Sequence, residues 1–464
     1  MADNPRDAPD GNDSDRDRPE DDFRDMLREF LEGKTDIDPA KLAGAAGLPN
    51  DPEMVAQLIA QLQNALQNSG EGVNWGLALE QAKSIAGRTT VVSLPAERSQ
   101  LEQALHVASL WLDEVTSITQ LTVEPRLMSR QEWVVETMPV WTQLAEPVAG
   151  SIANSLTDVL GHNAPDGMDA AELGEMLAGA SKLMRNVGGT LFAMQLGHVV
   201  GQLSSEVVSG GDIGIPLLDA SEGSAYQAAV LPQNVAGFAS GLDIPIDQVQ
   251  LYLAVRELAH ARLFRHAKWL RLQLLSAITE FAKGIRIDTG RLEELANDFD
   301  PNNPEELREA MTSGALIADK SDEQTAALGR LETTLALIEG WVDVVTAQAT
   351  VRLPSSAAIA ETVRRRRASG GPAESAFSTL VGLELRPRRL REAAAMWQKV
   401  TDAVGSDARD ALWSHPDLVP TGEDLDDPTS LIARITAGDP VPDDVDQALE
   451  DLLNDDTIER PHEQ

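Results

Sequence analysis

The sequence predicts a mainly α fold with little or no β-sheet, and three observations carry that expectation. Hydrophobic residues make up 42% of the 464-residue chain while aromatics are only 4%, with eight Trp and two Tyr. A core of that composition must be built from Leu, Ile, Val and Ala, and Leu and Ala are strong helix formers. Apolar residues recur at i, i+3, i+4 and i+7 over long windows, the period of one helix face. Long runs of β-branched alternation are missing.

The elements follow in order. Residues 1–35 are charged and largely without an apolar stripe, which predicts a disordered acidic N-terminus; the exception is Phe23–Leu31, spaced as a short helix. Residues 36–72 cross a Gly/Pro-containing stretch and then hold a second short amphipathic helix. The main helical domain is expected over 73–431. Its helical windows are Glu97–Ser117, Gln131–Asp158, Ala170–Val208, Pro245–Ile285, Asp322–Leu353 and Arg388–Val404. Val91–Leu94 and Gly188–Phe192 are the nearest approach to strand material. From 432 to 464 the chain reads as an acidic, partly disordered tail with one helical patch, Val445–Leu453.

Charge and composition exclude several classes. The formal net charge of −37 repels nucleic acid and anionic membrane surfaces. With no cysteine there are no disulfides, cysteine-bound zinc, iron–sulfur clusters or thiol catalysis. The first twenty residues lack the apolar centre of a signal peptide, and no stretch approaches the roughly 20 apolar residues of a membrane span. A cytoplasmic protein without a membrane partner is expected.

The chemistry concentrates on one helix, Leu251–Leu275. There Arg256-Glu257-Leu258-Ala259-His260 has the register of His-Glu-x-x-His. That motif works because residues at i and i+4 share a helix face, so two imidazoles grip one zinc while the glutamate serves as general base on the metal-bound water. Here Glu257 is the candidate base and His260 a candidate ligand, but Arg256 stands where the first ligand belongs. A guanidinium is permanently charged and does not coordinate zinc. His266 follows His260 by six residues, about 120° away on an unbroken helix. It and His198 are candidates only for lining a cleft.

Several longer stretches make the chain resemble the bacterial zincin-like, zinc-dependent metalloproteases, in the branch where arginine replaces the first histidine. These are Gly197–Ser204, Asp212–Pro216, Arg256–Phe264, Glu339–Val345, Arg364–Gly371 and Leu383–Leu390. The resemblance implies a large zincin-like helical domain, a zinc that activates water, and peptide hydrolysis. It carries Glu257 over as base and His260 as ligand. The family's gluzincin members take a third ligand from a glutamate on a later helix, which points to Glu339, with Asp343 one turn on as the alternative. On an otherwise apolar helix these carboxylates need partners. Either they pair with nearby arginines, or Arg256 takes the place of zinc, its guanidinium bridging Glu339 or Asp343 and Glu257.

Two arginine clusters remain, Arg364, Arg365, Arg366 and Arg367, and then Arg386, Arg388 and Arg389. Without interleaved aromatics they are a poor nucleic-acid surface, and pairing with the acidic tail or an acidic partner is the expectation. Two function classes stay open: a zinc-dependent peptidase or other hydrolase, and a degenerate zincin that binds a peptide or protein as a scaffold.

Overall fold

Helices dominate the structure, a computed structural model that describes residues 73–162, 189–190, 192–218, 227–285, 288, 290, 319–368, 376–378, 380 and 389–437. The expectations for 1–72, for Val445–Leu453 and for Arg386 and Arg388 lie outside those residues. In order, the elements are α1 (Trp75–Arg88), α2 (Pro95–Asp113), β1 (Arg126–Leu127), α3 (Arg130–His162), α4 (192–203), β2 (Ala229–Val230) and α5 (Pro232–Ser240). There follow α6 (Ile246–His266), α7 (Lys268–Lys283), α8 (Asp322–Ala349), α9 (Ser356–Ala368), α10 (Leu390–Ala411), α11 (Gly422–Asp426) and α12 (Pro428–Ala437). α12 runs past residue 431, where the sequence reading begins the tail. Among the described residues, no helix is long and apolar enough to cross a membrane.

The chain divides into two compact units. The first comprises Met1–Trp75, Ala149–Ala193 and Arg286–Asp319; the second comprises Gly76–Val148, Met194–Ile285 and Lys320–Gln464 and holds everything discussed below. Among the described residues its sheet is the parallel pair β1–β2, in register Arg126↔Ala229 and Leu127↔Val230. Ser209 bridges antiparallel to Val230 on the other side. Two-residue strands leave no alternation to read, and Val91–Leu94, the stretch nearest a strand in the sequence, forms none.

Helix starts follow local chemistry. Pro95 opens α2, where its missing N–H is no loss, and the Glu97 carboxylate accepts the Leu94 N–H at 2.9 Å. Ser321 and Gln324 form a reciprocal capping box at the start of α8, both bonds 3.1 Å. The predicted continuous helix Pro245–Ile285 is interrupted at Ala267 (φ −91°, ψ 69°), which separates α6 from α7. α10 kinks at Gly405, whose φ of +87° only glycine adopts readily.

α6 sits between α2 and α8, and α8 packs in turn against α10. From Tyr252 to Phe264 every residue of α6 is buried, as is every residue of α8 from Leu335 to Thr346. A leucine such as Leu258 or Leu337 contributes about 1.5–3 kcal/mol on full burial. A helix buried all round is ordinarily apolar all round. α6 instead buries Arg256, Glu257, His260 and Arg262, and each of those charges or dipoles has to find a partner.

Candidate functional site

Arg262 answers on the α2 side. Its guanidinium donates to Asp113 Oδ1 at 2.8 Å and to the carbonyl and hydroxyl of Ser109, each at 2.9 Å. This contact is structural and was not legible in the motif.

Arg256 and His260, one turn apart, face α8. The Arg256 guanidinium donates to Glu339 Oε2, and His260 Nε2 lies 2.9 Å from Glu339 Oε1. A second guanidinium, that of Arg367 at the end of α9, pairs with the same Glu339 oxygen. One carboxylate, 1% exposed, therefore serves one imidazole and two cations. Burial alone would raise the Glu339 pKa, but Arg367, Arg256 and His260 outweigh it and hold the group well below the usual carboxylate range. Burial opposes the Arg256 charge too, yet the facing Glu339 leaves its pKa raised.

Burial, opposed by Glu339 and reinforced by the two arginines, lowers the His260 pKa. The ring is then neutral, with one proton for two acceptors: Glu339, and the Arg256 carbonyl 3.1 Å from Nδ1. We assign that proton to Nε2, because the ionised carboxylate is the stronger acceptor.

Glu257 points elsewhere. Its Oε2 accepts the Gly211 N–H at 2.8 Å and its Oε1 the Ala229 N–H at 2.9 Å. It thus brackets the bridge between the 209–214 loop and β2. Burial pushes its pKa up to about 7, against the hydrogen bonds from Ala229, Ser209 and Gly211. The expected bridge from Arg256 to Glu257 is replaced by these backbone bonds, because the loop reaches the carboxylate first.

The loop closes down tightly. A Cβ on Gly211 would sit 2.9 Å from both Glu257 Oε2 and His260 Cβ. Gly214, with φ +79°, comes as close to Glu339 Oε1 and could carry a side chain only with strain. The sequence singled out Asp212–Pro216 without saying why; close backbone approach to α6 and α8 is the reason.

Three arginines of the α9 run, Arg364, Arg366 and Arg367, turn toward α8 and the 209–214 loop, while Arg365 stays exposed. Arg364 donates to Asp343 Oδ2 at 2.8 Å, which removes Asp343 from the Glu339 cluster. Arg365 pairs with Glu361 along the helix, Arg366 with Asp212 at 3.2 Å, and Arg367 with Glu339 and the Asp212 carbonyl. Among the described residues, the ion-pair partners of this run lie in the 209–214 loop, in α8 and in α9 itself, and the tail beyond residue 437 lies outside those residues. Arg389 pairs with Asp426 of α11 and with Glu392 of α10. His198 is exposed and bonded to Gln202 at 3.0 Å, and His266 is exposed at the end of α6, so neither lines the site.

Comparison with known proteins now bears on this geometry. The family described as zincin-like metallopeptidases matches residues 73–432. A protein from Chloroflexus aurantiacus, described in its crystal structure as a "putative hydrolase with a novel fold", is similar with a TM-score of 0.52 and 19% identity. The likeness covers 78% of this chain and 99% of the other, and at that identity it is one of fold. No curated protein matches. With more than three quarters of its length matched and the glutamate and histidine of the motif on one buried helix, the chain belongs to the zincin-like metallopeptidase family.

Proposed function

We propose that this chain is a zincin-like protein whose metal position is held by arginine, and that it acts by binding a peptide or protein partner rather than by hydrolysis. The observation that carries the reading is the shared Glu339 carboxylate, taken by His260 and by the guanidinium of Arg256, the residue at the missing ligand's place. A catalytic zinc takes three protein ligands and an open position. Among the described residues, no group of three or more His, Cys, Asp or Glu is arranged to hold a metal. A divalent ion 4 Å from one guanidinium meets about 8 kcal/mol of repulsion at an effective dielectric near 20. The donor set does not fit zinc. Glu257, 1% exposed with both oxygens accepting backbone N–H groups, serves as a bracket rather than a base.

The opposing reading is a metal-dependent peptidase with Glu257 as base and His260, Glu339 and Asp343 as ligands. Family membership and the words used for the Chloroflexus protein favour it. It requires Arg256 and Arg367 to leave Glu339, and Arg364 to leave Asp343. For a binding role, a groove of about 270 Å³ along α2 offers a seat; Glu102 and Glu124 give it acidic groups, and the exposed Leu110 and Val123 apolar ones. A basic segment with apolar residues suits that lining.

The test is the zinc content of the purified full chain by mass spectrometry, beside Glu257→Ala and His260→Ala. We expect far less than one zinc per chain and a melting temperature indifferent to chelator, since a bound metal would stabilise the native state by mass action. About one zinc per chain, lost in His260→Ala, would overturn the proposal in favour of the peptidase.

A further inference from the structure

The metal position is closed twice, from two different helices. Arg256 enters from α6 and Arg367 from α9, and both guanidinium groups meet on Glu339. Together they bring two positive charges, the charge of one zinc ion, to the carboxylate that faces His260. Arg367 is also tied down on its far side: Nη2 donates to the Asp212 carbonyl at 2.6 Å, while its neighbour Arg366 pairs with the Asp212 carboxylate. Gly214 of the same loop approaches both Glu339 and Arg367, and a Cβ there would lie 3.7 Å from Arg367 Nη1. Arg367 is thus held in place by the loop that covers the site, and its side chain is 12% exposed.

We infer that Arg256 and Arg367 act together as a surrogate for a divalent cation, with Arg367 as a positioning residue that excludes metal independently of the motif. The inference rests on the metal-free reading above and goes beyond it. Restoring the histidine of the motif supplies a third donor but leaves a fixed positive charge on the Glu339 carboxylate. Metal affinity therefore returns only when both arginines are changed.

Cobalt(II) is the probe, because its visible d–d absorption reports coordination directly. The full-length chain is titrated as wild type, Arg256→His, Arg256→His/Arg367→Met and Arg256→His/Arg367→Lys, with circular dichroism confirming the fold of each. The Met double variant is expected to bind one cobalt at least about 100-fold more tightly than Arg256→His alone, since removing a like charge beside the ion is worth that much or more. The Lys double variant, which keeps the charge, is expected to stay as weak as Arg256→His.

Equal cobalt affinity in Arg256→His and the Met double variant would overturn the role of Arg367 while leaving the metal-free reading intact. A folded Met double variant without cobalt would overturn the surrogate itself. Metal in the wild type would instead sink the proposed function. If the Met double variant does not fold, Arg256→His/Arg367→Gln is titrated against the same two outcomes.

Discussion

Glu339 and Trp341 stand two residues apart in α8 and lead into two buried polar clusters with opposite characters. On the Trp341 side, Asp410 of α10 accepts from Trp341 Nε1 (2.9 Å), Arg409 Nε (2.7 Å), Thr116 Oγ1 (2.6 Å) and the Ser117 N–H (2.9 Å). Arg409 spends its remaining donors on Val115, Gln348 and Thr401. One anion meets one cation, and both are fully hydrogen-bonded. On the Glu339 side one carboxylate is shared by two cations, one of which, Arg367, also lies 3.8 Å from the Asp212 carboxylate. There Arg367 Nε and the nearby Tyr252 hydroxyl have no hydrogen-bond partner among the described residues. The first cluster has the bookkeeping of a structural joint. The second leaves two polar atoms over, as buried Trp133 and Trp141 do elsewhere among the described residues, and shares one carboxylate between an imidazole and two guanidinium groups.

The sharpest way to break this comparison is to remove each anion. Glu339→Ala leaves the Arg256 guanidinium buried without its ion-pair partner and Arg367 with only the longer contact to Asp212 (3.8 Å), and is expected to cost about 3–5 kcal/mol in urea unfolding at pH 7. Asp410→Asn keeps its shape, but its single oxygen can serve either Trp341 and Arg409 or Thr116 and Ser117, and it is expected to cost about 1.5–3 kcal/mol for the bonds lost. An equal or larger loss at Asp410 would erase the distinction.

A pH series separates the two carboxylates of the site. Glu257 has its folded pKa raised from 4.5 to about 7, so the folded state holds a proton that the unfolded chain releases. Stability from this group is complete below the unfolded value and is lost as pH rises through about 7. Glu339 is depressed, so its contribution is present above the ordinary carboxylate range and is lost only as pH falls below it. The lowered pKa of His260 pulls the other way, its contribution returning as pH rises toward the ordinary imidazole value. The test is therefore the difference between the two proteins: urea midpoints of Glu257→Gln should fall less, or rise more, than those of the wild type between pH 4.5 and 8. A slope unchanged by Glu257→Gln would reject the assignment.

The smallest effect is expected within the arginine run. Arg365→Ala removes an exposed pair along α9 and should leave the melting temperature unchanged, whereas Arg367→Ala, in a buried pair, should lower it.

The helical class and the facing of Arg256, His260 and Glu339 were legible in the sequence, because four-residue spacings on buried helices leave few ways to turn a charge. The end of the predicted helix at Val404 falls just before the Gly405 kink for the same local reason. Arg367 was missed as part of the site because four successive arginines read as a basic cluster meant for the acidic tail or an acidic partner. The available signal was a matching interval: Arg364 and Arg367, three apart, meet Asp343 and Glu339, four apart in the opposite direction. Asp410 was not seen at all, since its neighbours Ser406, Asp407 and Arg409 look like an ordinary polar helix end. Glu257 carried the right spacing for a base, but nothing local announced that Gly211 and Ala229, 46 and 28 residues away, would claim its oxygens.

Four arginines in a row are also the densest tryptic target in the chain, yet α9 winds them around a helix and ties three of them to the 209–214 loop or α8. A protease needs an extended backbone, so it can cut there only when α9 opens. When closing is fast relative to cleavage, the rate of cutting within the run measures the equilibrium population of that opening. The run thereby becomes a natural gauge of how firmly α9 is latched.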